Sequence, residues 1–273
     1  SQFICCSSFI KKIELKNVMK KNHPKMNEVP LLSIVTINYN NQAGLDRTLS
    51  SIFDTTIPFL IESIIIDGAS SDASVEVIKK YEPKIAYWQS ERDKGIYDAM
   101  NIGLAKSTGR YVWFLNSGDL VNERSTLKHL HPVLLQDKWD IVYGETQMVD
   151  IQYNVIGSGS ENSNRPLPET LHYNSFKYGM NVVHQSFIVK REIAPLYDLR
   201  LKHVSDIDWI LRILKTEPNS YLFSEPISRF VLEGHSSQNR KAANWERFKL
   251  FSKHYGLLNN LLNHVKILFQ YLK

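Results

Sequence analysis

The chain has 273 residues, 43% of them hydrophobic and 11% aromatic, so it can bury the core of one large domain, and disorder as its main state is excluded. Its formal charge of +5 sits at the ends: residues 1–28 hold six Lys against two acids and residues 241–273 six Lys or Arg against one, leaving 21 basic and 25 acidic side chains in 29–240. A mildly acidic middle gives no basic face for nucleic acid, and with both cysteines adjacent at Cys5 and Cys6 a disulfide framework or cysteine metal site in it is excluded.

Residues 1–28 are Lys-rich and irregular, and "SQFICCSSFIKK" lacks the basic region and small-residue cleavage pattern of a signal peptide. They read as a disordered or artefactual basic leader, with Met19 or Met26 as the natural start. Strands then alternate with helices. "LLSIVTI" (31–37) predicts a strand, "GLDRTLSSIF" (44–53) a helix and "IESIIIDG" (61–68) a second strand. Asp72 is placed to cap a helix through "ASVEVIKKY", after which "KIAYWQS" (84–90) predicts the third strand. "GIYDAMNIGLA" (95–105) is helical, Gly109 closes it, and "YVWFLN" (111–116) is the fourth strand. This alternation, with near-continuous apolar strands, predicts an α/β fold whose mostly parallel sheet is covered by helices on both faces.

The second half is less regular. "WDIVYGETQMVD" (139–150) predicts a strand running into a hairpin through "NVIGSGS", residues 161–180 a loop, and "HQSFIVK" (184–190) a short strand. Ile207, Ile210, Leu211 and Leu214 form the stripe of a helix. From Leu257 to Leu272 an apolar side is interrupted by Asn259, Asn260, Asn263, Lys266 and Gln270, which predicts an amphipathic helix and not a membrane span.

Strand one ends in "NYNNQAG" with Gly44 alone, and no GxxxxGK[ST] loop occurs, so both nucleotide glycine fingerprints are missing. Carboxylates nevertheless recur at strand ends: Asp67, Asp93 and Asp119. That is the rim where open α/β sheets bind ligands, and acids there suit ribose hydroxyls and a divalent cation carrying a diphosphate.

"SIVTINYNN", "IIIDGASSD", "ERDKGIYDAMNIGLAKSTGRYVWFLNSGD" and "SDIDWILR", in this order over residues 31–235, resemble family 2 glycosyltransferases of the GT-A fold, in particular bacterial enzymes of capsule, exopolysaccharide and O-antigen assembly. The resemblance implies a Rossmann-like nucleotide-binding half plus an acceptor half in residues 29–240, with 241–273 as a C-terminal helical extension. It implies inverting transfer from a nucleotide-diphosphate sugar, UDP-linked by preference, to a glycan or lipid-linked acceptor. Thr36, Asn38 and Tyr39 would line the base pocket, Asp67 would contact base or ribose, and Lys94, Asn116 and Ser117 would lie toward the diphosphate.

Family members usually end the fourth strand in Asp-x-Asp, holding Mn2+ or Mg2+; here Asn116 and Gly118 replace those acids and Asp119 alone stays charged. Asp119, with His235, is the implied metal ligand, and a weaker metal site is expected. Asp206 matches the general base, with Ser205 in place of the usual Glu. Asp208 is its rival two positions on, about 200° away around a helix, and His184 and Gln185 complete the acceptor side. A catalytically silent nucleotide-sugar-binding or scaffold protein is the alternative that the lost acids suggest. The tail leaves two readings open: peripheral contact of a cytoplasmic enzyme with the inner membrane face, or packing on the core or on a second subunit of a homodimer.

Overall fold

Three hydrophobic runs, buried throughout except at Ile61, set the centre of the structure, a computed structural model that describes residues 29–54, 57–232 and 240–271. They are β1 (Leu32–Asn38), β2 (Ile61–Asp67) and β4 (Tyr111–Phe114), and with β3 (Tyr87–Ser90) they pair in parallel in the order β3-β2-β1-β4. Helices α1 (Gln42–Phe53), α2 (Ser74–Tyr81) and α3 (Ile96–Lys106) make the crossovers. Beyond β4 the sheet continues through β9 (Phe187–Lys190), β6 (Ile141–Tyr143) and β10 (Ser220–Leu222). Only β9 runs antiparallel to its neighbours, so the sheet is mostly parallel.

Alternate residues of each strand feed opposite faces. Val35, Ile64, Val112 and Phe114 pack with Met100 and Leu104 of α3 and with Ile207, Ile210 and Leu211 of α6 (Ser205–Leu214). Ile34, Trp113 and Leu115 pack on Leu127, Leu130 and Leu134 of α4 (Thr126–Leu135). The close seat of α3 on β1 needs Gly103, where a Cβ would lie 2.3 Å from Val35 Cγ1. A smaller sheet, β5 (Leu120–Val121), β11 (Ser228–Val231), β7 (Thr146–Val149) and β8 (Val155–Ser158), leads into the short α5 (Gly159–Ser163).

The expected elements differ from those found mainly at their ends. The third strand begins at Tyr87, because Glu82–Lys84 form a 3-10 turn around Pro83. Gly109 does not cap α3, which ends at Lys106 with Ser107 as its cap; it lies against β1, where a Cβ would meet Ser33 Oγ at 2.5 Å. The first three residues of "HQSFIVK" are a 3-10 turn, and only Phe187–Lys190 pair. Two helices, α7 (Arg240–Tyr255) and α8 (Leu257–Tyr271), end the description; Leu250 and Phe251 of α7 join the main core, while Leu257, Leu258, Leu261, Leu262 and Val265 of α8 stay exposed. Residues 1–28 lie outside the described residues.

Candidate active site

The order of strands reverses at β1, with β2 on one side and β4 on the other, and the carboxyl ends of β1 and β4 open into a cleft of about 670 Å³. Asn41 and Arg47 line it from the start of α1, Asn116 to Asp119 from the loop after β4, His184 and Gln185 from the turn before β9, Tyr97 from α3 and Asp206 from α6. β9 is antiparallel, which is why its leading turn reaches the same rim.

The loop after β4 is held by α1. Gly118 N–H donates to Thr48 Oγ1 (2.9 Å), Thr48 Oγ1 donates to the Asp119 carbonyl (2.8 Å), and Asn41 Nδ2 donates to the Ser117 carbonyl (3.0 Å). Tyr153 O–H reaches the Gly118 carbonyl at 3.0 Å, and Gly118 takes φ +102°, a left-handed value that favours glycine. The turn swings Asp119 inward until it is 6% exposed. Burial pushes its carboxyl up to about 8, against hydrogen bonds from the Gln185 side chain and the Val231 backbone that lower it. On the same loop Asn116 Oδ1 is buried without a hydrogen-bond partner among the described residues.

Those two groups decide how a cation would be held. Among the described residues no three His, Cys, Asp or Glu side chains converge as a metal cage. A desolvated carboxyl and an orphaned amide oxygen are hard oxygen donors all the same, and they fit a cation that takes most of its ligands from phosphate and water. His235 lies outside the described residues.

On the β1–β2–β3 side, Asp67 is fully buried and its oxygens are filled by the protein itself. Oδ1 accepts from Asn38 Nδ2 (2.7 Å) and Ser70 Oγ (2.5 Å), Oδ2 from Ser70 N–H (2.9 Å) and Ser90 Oγ (2.6 Å). Asp67 and Asn38 therefore knit three strand ends together from below. Thr36 is fully buried, its hydroxyl unpartnered among the described residues, and like Asn38, Tyr39, Asp67 and Lys94 it is not part of the cleft lining. Tyr39 stands 63% exposed, beside Gly68, where Asp93 also approaches. Lys94 is exposed and its N–H binds Asp98 at 3.0 Å, just before α3.

Across the cleft, Asp206 is the second residue of α6, half-buried, and its Oδ1 accepts the Tyr97 hydroxyl at 3.1 Å. His184 is buried with Nε2 at 2.8 Å from Tyr197 O–H; burial holds its pKa below the ordinary 6.5, against the Asp206 charge, so the ring is neutral near pH 7. Gln185 is bound to Asp119 by its side chain, and its carbonyl accepts Trp113 Nε1–H (2.7 Å). Asp208 is a correction: 1% exposed, it turns away from the cleft to Arg212 Nε (2.7 Å) and His254 Nε2 (3.0 Å). Burial alone would raise its carboxyl, but the His254 hydrogen bond and the Arg212 charge hold it below 3.8. The opposite directions follow from helical spacing.

Sequence reasoning missed Tyr97, Arg47 and Arg247, which line the same cleft. Tyr97 stood inside the quoted "GIYDAMNIG". Arg47, whose guanidinium lies 4.5 Å from the Tyr153 ring centre, and Arg247 of α7 carry no motif.

Comparison with known proteins agrees with this geometry. The family model for glycosyl transferase family 2 matches residues 33–194. An uncharacterized glycosyltransferase of Mycobacterium tuberculosis is 34% identical over 196 residues, 68% of this chain and 70% of that protein. The crystal structure of S. aureus TarS 1–349 in complex with UDP-GlcNAc has a TM-score of 0.63 and 15% identity, covering 80% of this chain and 65% of that one. The mannosyltransferase PcManGT from Pyrobaculum calidifontis, in complex with GDP-Man and Mn2+, has a TM-score of 0.57 and 16% identity over 90% of this chain and 70% of that one. At such identities the structural likeness shows the fold, the GT-A arrangement of a central sheet flanked by helices.

Proposed function

Because the chain belongs to glycosyl transferase family 2 and is a glycosyltransferase, we propose that it moves a sugar, with inversion at the anomeric carbon, from a nucleoside-diphosphate sugar to an acceptor hydroxyl in bacterial surface polysaccharide assembly. Residues 29–240 act as the transferase domain and 241–273 as its helical extension. The exposed Tyr39 ring offers a face for the base, with Asn38 and Asp67 fixing the strand ends beneath it. Lys94, Asn116 and Ser117 lie toward the diphosphate. A UDP-sugar is the preferred donor, a choice supported by the UDP-GlcNAc bound to TarS.

A divalent cation, Mn2+ or Mg2+, would neutralise charge on the departing diphosphate, and Asp119 with Asn116 would hold it. Asp206 is the general base. As the acceptor oxygen attacks the anomeric carbon from the face opposite the diphosphate, its proton passes to the Asp206 carboxylate. The sugar–phosphate bond breaks, its electron pair leaves on the phosphate oxygen, and the configuration inverts. His184, neutral, and Gln185 border the acceptor.

The observation that carries this reading is one cleft shared by Asp206 and the Asn116–Asp119 loop. Asp206→Asn is expected to lower kcat by at least about 100-fold, to a small residual rate, while leaving the melting temperature and UDP binding as in the parent. UDP binding by the parent without any turnover, metal and acceptor supplied, would instead mark a silent binding protein.

The tail supports a cytoplasmic enzyme held at the inner membrane face, where lipid-linked acceptors lie. No helix among the described residues is long and apolar enough to cross a membrane. Exposed Leu258, Leu261, Leu262 and Val265 on α8, near the basic residues of α7, suit an anionic lipid surface. Deleting residues 257–273 should then release the enzyme from anionic vesicles. An unchanged vesicle-bound fraction would sink this idea, and a halved mass in light scattering would assign the face to a homodimer.

A further inference from the structure

Removing the proton of an acceptor needs a carboxylate held in one orientation, and the structure contains a tyrosine hydroxyl that donates to it. Tyr97 lies in the first turn of α3, two positions after Gly95, which takes φ +114° while its N–H binds Asp93 Oδ1 at 2.8 Å. Its ring is buried and stacks on Tyr197 (5.8 Å between centres, 18° between planes), and Tyr197 stacks in turn on Trp209 of α6 (5.0 Å, 9°). Asn101, one turn further along α3, locks Tyr197 by accepting its N–H (2.7 Å) and donating to its carbonyl (3.0 Å). Three rings thus join the start of α3 to the helix that carries Asp206.

A phenylalanine would fill that stack equally well. Burying a phenol costs stability unless its hydroxyl finds partners: here its hydrogen goes to Asp206 Oδ1 at 3.1 Å, and its oxygen faces the backbone N–H groups of Ser205 and Asp206 at the start of α6. Burial and the neighbouring Asp206 charge push the ionisation of Tyr97 far above the ordinary value of 10, so its hydroxyl remains a donor at any working pH. His184, His203, Arg247 and Asp119 line the same cleft, yet among the described residues none of them hydrogen-bonds Asp206.

We propose that Tyr97 is a positioning residue for the transfer: its hydroxyl engages one oxygen of Asp206 and so leaves the other turned toward the acceptor. This rests on Asp206 as the general base, and it acts through that carboxylate without touching the sugar.

The test is a double-mutant cycle on the full chain, using steady-state transfer and thermal melting. Tyr97→Phe is expected to lower kcat by about 10- to 100-fold while the donor KM stays within about twofold and the melting temperature falls only slightly, by what one lost hydrogen-bonding group costs. Placed on Asp206→Asn, it should cause no further loss, because the carboxylate it orients is gone. A parental kcat in Tyr97→Phe, or losses that multiply in the double variant, would overturn the proposal. The two readings separate cleanly. An active Asp206→Asn removes the base assignment itself, whereas an inactive Asp206→Asn beside a fully active Tyr97→Phe removes only the positioning role.

Discussion

The two sides of the cleft are held by different forces. On the side of β1, β2 and the loop after β4, short polar side chains bind backbone: Asp67 takes Ser70 N–H, Asp72 takes Gln42 N–H, and Thr48 and Asn41 bind the Asn116–Asp119 loop. On the side of α6, large rings do the holding, with Phe114, His184, Tyr197 and Trp209 packed edge to face or in stacks. Hydrogen bonds fix direction to within a few tens of degrees, whereas ring packing fixes volume and tolerates redrawing of the chain around it. A constant donor held by the first kind and a changeable acceptor held by the second would be the consequence.

The sharpest way to break that contrast uses two aspartates on one helix. Asp206→Asn is expected to cost at least about 100-fold in kcat, the loss of general base catalysis, with no fall in stability. Asp208→Asn should do the reverse, because it strips the partner from Arg212 and His254 in a buried cluster. A loss of about 3 kcal/mol in urea unfolding is expected, with the folded fraction still turning over. If Asp208→Asn instead abolished turnover at unchanged stability, the assignment of roles would be exchanged.

Next in size is the Asn116–Asp119 loop. Asp119→Ala should lower the metal-dependent rate by about 10- to 100-fold and raise the Mn2+ or Mg2+ concentration for half-maximal activity. A rate insensitive both to a chelator and to this substitution would leave the loop without a cation. Smaller again is Asp67→Asn, which turns one acceptor into a donor facing donors. It is expected to cost about 1–3 kcal/mol in stability, and to weaken UDP binding in calorimetry because Asn38 and Ser70 lose their anchor.

The same contrast governs what could be read from the sequence. Between residues 31 and 121 every crossover was legible, because continuous apolar strands and amphipathic helices alternate and Asn, Asp and Gly punctuate them. The strand-end acids were legible as residues but not as roles. Asp67 and Thr36 lie two and three positions from exposed chain, and periodicity does not say which of them faces a ligand and which its own backbone. In the second half the strands are three or four residues long and belong to two sheets, and the pairing of β11 with β7 joins residues 82 positions apart. Tyr97 was hidden for a further reason: its partner is 109 residues away. Helical spacing did correctly set Asp206 and Asp208 on different sides of α6.

The smallest expected effect tests whether the polar ties act as charged groups. Asp72 is exposed, yet its Oδ2 accepts Gln42 N–H (2.9 Å) at the start of α1 and its Oδ1 accepts Ser74 N–H (3.1 Å) at the start of α2. Burial is the largest single influence and raises its pKa, but the Ser74 hydroxyl and these backbone bonds together outweigh it and hold the carboxyl below 3.8. A depressed value in the folded state means stability that is complete above 3.8 and is lost as pH falls toward the folded value. Asp72→Ala should therefore cost about 1 kcal/mol at pH 7, the usual worth of a cap, and the gap to the parent should narrow once the pH drops below about 4. Denaturant melts of both proteins at pH 7 and pH 3 measure this directly. An undiminished gap at pH 3 would mean that Asp72 ties the two helices by shape and neutral hydrogen bonding alone, and the polar side of the cleft would then resemble the ring-packed side more than its carboxylates suggest.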